Sequence, residues 1–250
     1  ADLSAPGAGD SAAVVSLPAV RARIDAACRR AGRSVGEVRL VAVTKGRTPD
    51  EIASLVRQGG VRDLGENRVQ EWRDKKDLVP PGVHWHFVGN LQRNKVKYLA
   101  DGAVGWVHSL NSARLADAME AQGARRGHTF RALVEVNVFG ESRKRGVPPG
   151  ETEALVAHAH ALEHVELVGL MAMAPFLDDP EGAREGFRRL RRLRDALDLR
   201  EASMGMSRDF EVAIEEGATM VRIGSALFEG TAAQPPAPGD PPPGEARRRR

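Results

Sequence analysis

Val38-Arg39-Leu40-Val41-Ala42-Val43-Thr44-Lys45 decides how this chain is read: a β-branched, apolar run that ends on a cation and is followed by Thr48-Pro49. The run has the composition of a buried strand, and Thr48-Pro49 opens a helix, with threonine as cap and proline in the first turn. Lys45 is out of place at the end of such a strand. One reading is a strand-end lysine that snorkels to solvent. The other is an amine held near low-dielectric surroundings, which favour its neutral form and make it a nucleophile toward aldehydes.

The strand–helix unit recurs along the chain. Strands are predicted over 38–44, 61–65, 83–89, 106–110, 131–137, 165–172, 201–205 and 220–224. An opening helix is predicted near 18–31, and others over 49–58, 68–79, 93–100, 112–125, 150–163, 181–197 and 208–217. Eight β/α units in about 210 residues, with no strand-rich insertion, point to a closed parallel (β/α)8 TIM-like barrel rather than an open sheet. The expected organisation is a barrel over 17–230, a disordered segment over 1–16 that lacks periodicity, and a disordered tail over 231–250 with six prolines before Arg247–Arg250.

Composition narrows the function. The 250 residues carry a net charge of +3, but the tail holds four of the 37 basic and two of the 34 acidic residues, so the rest carries +1. Aromatic residues make up 4%, too few for a stacking platform, so nucleic acid is not an expected partner. Arg247–Arg250 leave an RNA- or membrane-associated role for the tail as a minor alternative to a solvated charged end. The single cysteine, Cys28, excludes an internal disulfide and fits a reducing compartment. Neither a signal peptide nor a membrane span is expected, so the cytoplasm is the expected location. No metal site is expected: His84 and His86 share one strand face without a nearby thiol and fit barrel packing or a hydrogen bond better.

In such a barrel the strand ends meet at one rim. Two loops there carry small residues, hydroxyls and backbone N–H groups: Ser203-Met204-Gly205-Met206-Ser207 and Arg222-Ile223-Gly224-Ser225. Each alone reads equally well as an ordinary turn. Together, after strands seven and eight, they occupy the recurrent phosphate position of these barrels. An amine and a phosphate grip at one mouth describe a site for a phosphorylated aldehyde, for which pyridoxal 5′-phosphate (PLP) and aldolase substrates both qualify.

Motif identity separates them. Leu40 to Lys45, Leu64-Gly65-Glu66-Asn67-Arg68-Val69-Gln70-Glu71, Trp85-His86-Phe87-Val88-Gly89-Asn90-Leu91-Gln92-Arg93-Asn94-Lys95, His108-Ser109, Val136-Asn137, Gly169-Leu170-Met171 and the two phosphate-type loops occur in order. From about 20 to 230 the chain resembles the pyridoxal phosphate homeostasis proteins (YggS/PROSC type), whose barrel is similar to the N-terminal barrel of alanine racemase. The resemblance implies that Lys45 forms the internal aldimine, that Asn67 lies near the cofactor ring, and that Ser207, Gly224 and Ser225 grip the phosphate. It implies that Arg222 faces the pyridine nitrogen, leaving it unprotonated and the ring a poor electron sink. His86 and Met204 are expected to complete the lining. Asn90 and Lys144-Arg145-Gly146 depart from the usual pattern, which places in question a second PLP contact at Lys144.

The implied role is that of a carrier, expected to be a monomer, that buffers PLP and delivers it to apo-enzymes without turnover of its own. The alternative is a PLP-dependent racemase or related enzyme, which needs a base on the opposite ring face, with His86 or another rim residue supplying it. Tyr98, the single tyrosine, falls on a helix beside Leu99 and reads as a packing residue.

Overall fold

The computed structural model describes residues 8–101, 104–140 and 145–228, with side chains from Ser16 onward. Lys144, the tail 231–250 and Arg247–Arg250 lie outside the described residues. Eight strands, β1 (Arg39–Val43), β2 (Asp63–Glu66), β3 (His84–Phe87), β4 (Val104–Leu110), β5 (Phe130–Glu135), β6 (Val165–Met171), β7 (Glu201–Ser203) and β8 (Met220–Ile223), follow one another round a closed parallel barrel. β8 returns to β1 with Val221 opposite Leu40 and Arg222 opposite Val41, which closes the ring.

The outer layer is α1 (Ala8–Arg30), α2 (Pro49–Arg57), α3 (Val69–Lys75), α4 (Val96–Leu99), α5 (Ala113–Arg126), α6 (Thr152–His160), α7 (Arg184–Ala196) and α8 (Phe210–Glu215). Helices follow β1 to β7, and among the described residues β8 is followed by a single 3₁₀ turn, Ser225–Leu227. α1 supplies the missing cover by packing against α2, α8 and that turn. It starts at Ala8, inside the segment expected to lack structure, because runs such as Ala12-Ala13 favour helix even without an amphipathic pattern. α2 starts as its sequence requires: Thr48 Oγ1 accepts from the Glu51 amide at 3.3 Å, the Glu51 carboxylate accepts from the Thr48 amide at 2.8 Å, and Pro49 holds the first position.

Strand alternation divides the buried residues into two sets. Leu64, Phe87, Val107, Ala132, Ala202 and Ile223 join the larger core between sheet and helices, with Phe187 and Leu190 of α7 and Phe210 of α8. The barrel interior holds a smaller apolar cluster, Val41, Trp106, Leu133, Val168, Met171 and Met220. Above and beside that cluster the interior is polar: His86, His108, Ser203 and Arg222 are all at most 4% exposed. Branched apolar side chains ordinarily fill this space, so a polar layer under the functional rim requires a partner for every member. Among the described residues, no helix is long and apolar enough to cross a membrane.

Candidate functional site

A cavity of about 560 Å³ opens at the C-terminal ends of the strands. Lys45, Asn67, Ser207, Arg222, Gly224 and Ser225 all line it, so the structure brings together six of the eight residues singled out from sequence. Apolar walls come from Val43, Val88 and the segment Met173–Leu177 after β6.

Lys45 stands two residues beyond β1 and is exposed at the mouth, which matches the solvent-reaching reading of this strand end and not the low-dielectric one. The buried polar residue at this strand end is Thr44, which is fully buried. Its hydroxyl donates to Glu66 Oε1 at 2.6 Å. Lys75, reaching back from α3, donates to the same Glu66 oxygen at 2.7 Å, to the Thr44 carbonyl at 2.8 Å and to Glu71 Oε2 at 3.4 Å. Glu71 Oε2 also accepts from the Gly46 amide at 3.0 Å. Both neighbours of Lys45 are therefore tied to one buried ionic cluster, and the amine projects from an anchored turn. Burial pushes the Glu66 carboxyl above its ordinary range, with the Lys75 ammonium pulling the other way.

The phosphate-type loops meet through Ser207, whose Oγ accepts from the amides of Gly224 and Ala226 at 3.3 Å each. Gly205 makes this approach possible: its φ is +92°, and a Cβ there would lie 2.6 Å from the Ala213 Cβ and 2.9 Å from the Phe210 Cα. Asp209, which the sequence reading passed over, accepts from the Met206 amide at 2.6 Å and holds the turn. On the other side, Gly89 lets the loop after β3 lie against the backbone at Asn67, since a Cβ would fall 2.0 Å from the Asn67 carbonyl oxygen.

Arg222 forms the floor. Its Nη1 donates to Ser203 Oγ at 2.6 Å and its Nη2 to the Ala172 carbonyl at 3.0 Å. Those bonds take two of its five N–H donors. Burial pushes its pKa down to about 10, against the opposing pull of Asp209 and Glu135, so it remains a cation at neutral pH. A buried cation with donors to spare on a cavity wall suits an acceptor-only atom such as an unprotonated pyridine nitrogen. With an amine at the mouth and hydroxyl-bearing loops at the side, the donor set fits PLP.

Two expected lining residues lie elsewhere. Met204 is fully buried in the core between sheet and helices, because Ser203 faces the interior and the next residue points to the opposite side. His86 sits inside the barrel below the cavity, 1% exposed, with its Nε2 at 3.0 Å from Asp63 Oδ1 and its Nδ1 at 2.9 Å from His108 Nε2. The pairing of His84 and His86 is a hydrogen-bonding one: both reach Asp63 Oδ1, His84 at 3.3 Å. Tyr98 packs against the outer core on α4, beside Arg73, Lys95 and Lys97.

Comparison with known proteins agrees with this architecture. The family model described as alanine racemase, N-terminal domain, matches residues 15–232. A pyridoxal phosphate homeostasis protein of Aquifex aeolicus is 45% identical over 219 residues, covering 85% of this chain and 95% of that protein. A Bifidobacterium adolescentis protein described as unknown superposes with a TM-score of 0.84 at 34% identity, covering 91% of this chain and 99% of that one. PipY of Synechococcus elongatus, solved with PLP bound, superposes with a TM-score of 0.68 at 30% identity over 84% of this chain and 99% of PipY. Fold and site together define a barrel of the alanine racemase N-terminal-domain class, with a lysine at its mouth and two loops that meet at Ser207 beside it. Within that class, the chain belongs to the pyridoxal phosphate homeostasis protein family.

Proposed function

We propose that this chain binds PLP reversibly through Lys45 and serves PLP homeostasis, buffering the free aldehyde and passing it to apo-enzymes. The carrying observation is the pairing of an exposed Lys45 with a buried Arg222 on one cavity. The Lys45 amine condenses with the aldehyde: a C=N bond forms, the carbonyl oxygen leaves as water, and hydrolysis runs the same step backwards. An exposed linkage is open to water and to an incoming amine, as release requires. Asn67 lies beside the ring, Ser207, Gly224 and Ser225 receive the phosphate, and Arg222 donates to the ring nitrogen. PLP supplies an aldehyde and an electron-withdrawing ring; a ring nitrogen held unprotonated damps carbanion chemistry.

The racemase alternative gains no support from the site. His86 is sealed beneath the cavity with both ring nitrogens hydrogen-bonded, and Tyr98 packs on the outside of the barrel. In the same proposal the chain acts as a monomer in the cytoplasm, where its one buried cysteine stays reduced.

Titration with PLP tests the reading: a visible absorption band should appear with the wild type and be absent with Lys45→Ala. In deuterated water with alanine, the loaded protein should leave the α-proton in place. Racemisation that disappears in Lys45→Ala overturns the carrier role in favour of an enzyme.

A further inference from the structure

A file of hydrogen bonds runs down the barrel interior from the cavity floor to the opposite rim. Arg222 Nη1 lies 2.6 Å from Ser203 Oγ, which lies 2.8 Å from His108 Nδ1. His108 Nε2 lies 2.9 Å from His86 Nδ1, and His86 Nε2 lies 3.0 Å from Asp63 Oδ1. The five residues come from β8, β7, β4, β3 and β2. Trp106 stacks on the His86 ring with centroids 5.2 Å apart and planes 10° from parallel, which fixes the ring's tilt.

The ends of the file dictate its polarity. A guanidinium only donates, and an ionised carboxylate only accepts. Ser203 therefore accepts from Arg222 and gives its own proton to His108 Nδ1. His108 carries its hydrogen on Nε2 and donates to His86 Nδ1. His86, also protonated on Nε2, donates to Asp63. Every atom in the file has a complementary neighbour with both imidazoles neutral. The reversed file needs either an extra proton on a buried imidazole or a protonated Asp63. Burial disfavours the first: it lowers the proton affinity of His86, and lowers that of His108 further, with the His86 and Arg222 charges acting the same way. Burial alone would raise Asp63, but the hydrogen bond from His86, with the Arg39 and His84 charges, keeps its carboxyl below the ordinary range, against the second.

We propose that this relay is a positioning device for Arg222, with His108 at its centre: it fixes the guanidinium so that the remaining N–H groups face the ring nitrogen of the cofactor and keep it unprotonated. The proposal rests on the reading that the cavity takes PLP. None of Ser203, His108, His86 or Asp63 lines the cavity, so each acts only through Arg222. The device explains why polar side chains fill a space that apolar ones would fill without desolvation cost.

Two measurements test it. In the full chain without cofactor, labelled with ¹⁵N-histidine, long-range ¹H–¹⁵N correlation at neutral pH should find His86 and His108 both neutral and protonated on Nε2. An Nδ1–H tautomer or an imidazolium at either position overturns the polarity, whatever the cavity binds. In protein loaded with PLP labelled at the ring nitrogen, the wild type should show the unprotonated ¹⁵N resonance. His108→Leu should raise the ring nitrogen's titration midpoint by about one pH unit, a tenfold change in proton affinity. His108→Gln, whose amide accepts from Ser203 and donates to His86, should restore the wild-type midpoint. If His108→Leu does not fold, Ser203→Ala removes the acceptor beside Arg222 with little change in volume and should give the same rise. A wild-type midpoint in the folded, loaded Leu or Ala variant overturns the positioning role. A wild type in which borohydride fixes no cofactor on Lys45 defeats the PLP reading instead, and the tautomer result still decides the relay's polarity.

Discussion

Replacing Lys75 with methionine should destabilise the protein more than any surface substitution and loosen the turn that carries Lys45. The side chains differ little in length, so the change removes a charge rather than a volume. What remains is the Glu66 carboxylate, 1% exposed, with its ammonium partner at 2.7 Å gone and the Thr44 carbonyl deprived of a 2.8 Å donor. Breaking a buried pair from one side costs about 3–5 kcal/mol, because the surviving charge is left without compensation. The cost should also depend on pH in a definite direction. The Glu66 carboxyl is already raised above 4.5 in the folded protein by burial, against the pull of Lys75. Without Lys75 it rises further, so the folded variant takes up a proton at a pH where the unfolded chain does not. Stability of the variant is then regained as pH falls through that window, by at most about 1.4 kcal/mol per pH unit. Urea unfolding followed by fluorescence and circular dichroism, at pH values from about 8 down to about 5.5, reads both effects. The deficit of Lys75→Met should be largest at the alkaline end, shrink on acidification, and be partly repaired by adding Glu66→Gln. A deficit below about 1 kcal/mol that does not change with pH would refute the ionic-cluster account.

Two further substitutions have expected outcomes from the same structure. Gly205→Ala forces a side chain into a position with φ +92° and a 2.6 Å approach to Ala213, at a cost of about 1–3 kcal/mol. Its displaced Ser207 loop should weaken PLP binding in absorbance titrations much more than binding of pyridoxal, which lacks the phosphate; equal losses would contradict the phosphate assignment. His108 has its proton affinity lowered in the fold by burial, so the stability it confers is complete above the unfolded value of about 6.5 and is lost as pH falls below it. The stability advantage of wild type over His108→Gln in chemical unfolding should therefore shrink by about 1 kcal/mol between pH 6.5 and about 5.5, whereas a constant difference would mean that the imidazole protonates within the fold.

Most of the architecture was legible because each strand carried its own punctuation. Thr48-Pro49 starts α2 where the cap chemistry places it, and each of the eight apolar runs forms a strand. α1 was read too short because no hydrophobic period marks its first residues. At the site, position along a strand was easier to read than direction. The apolar run through Thr44 left Lys45 open to a solvent-reaching and a low-dielectric reading; Thr44 holds the buried position and Lys45 emerges. Met204 could have been excluded by alternation, since it follows an inward Ser203. The same period puts His86 on the inward face of β3 that it shares with His84, which is exposed at the start of the strand, although only the closed ring brings His108 to within 2.9 Å of His86. The Glu66–Lys75 pair is a strand-to-helix contact that no local pattern announces, and nothing in the local sequence marks Asp209 as the acceptor for the Met206 amide.

In the proposed function the Lys45 amine holds the aldehyde. Incubating the full chain with PLP, reducing with borohydride, and mapping peptides by mass tests this at the atom concerned. A pyridoxyl mass confined to the peptide containing Lys45, and lost in Lys45→Ala, is the predicted result. A modified wild type with Lys45 unlabelled, or no adduct at all, would contradict it.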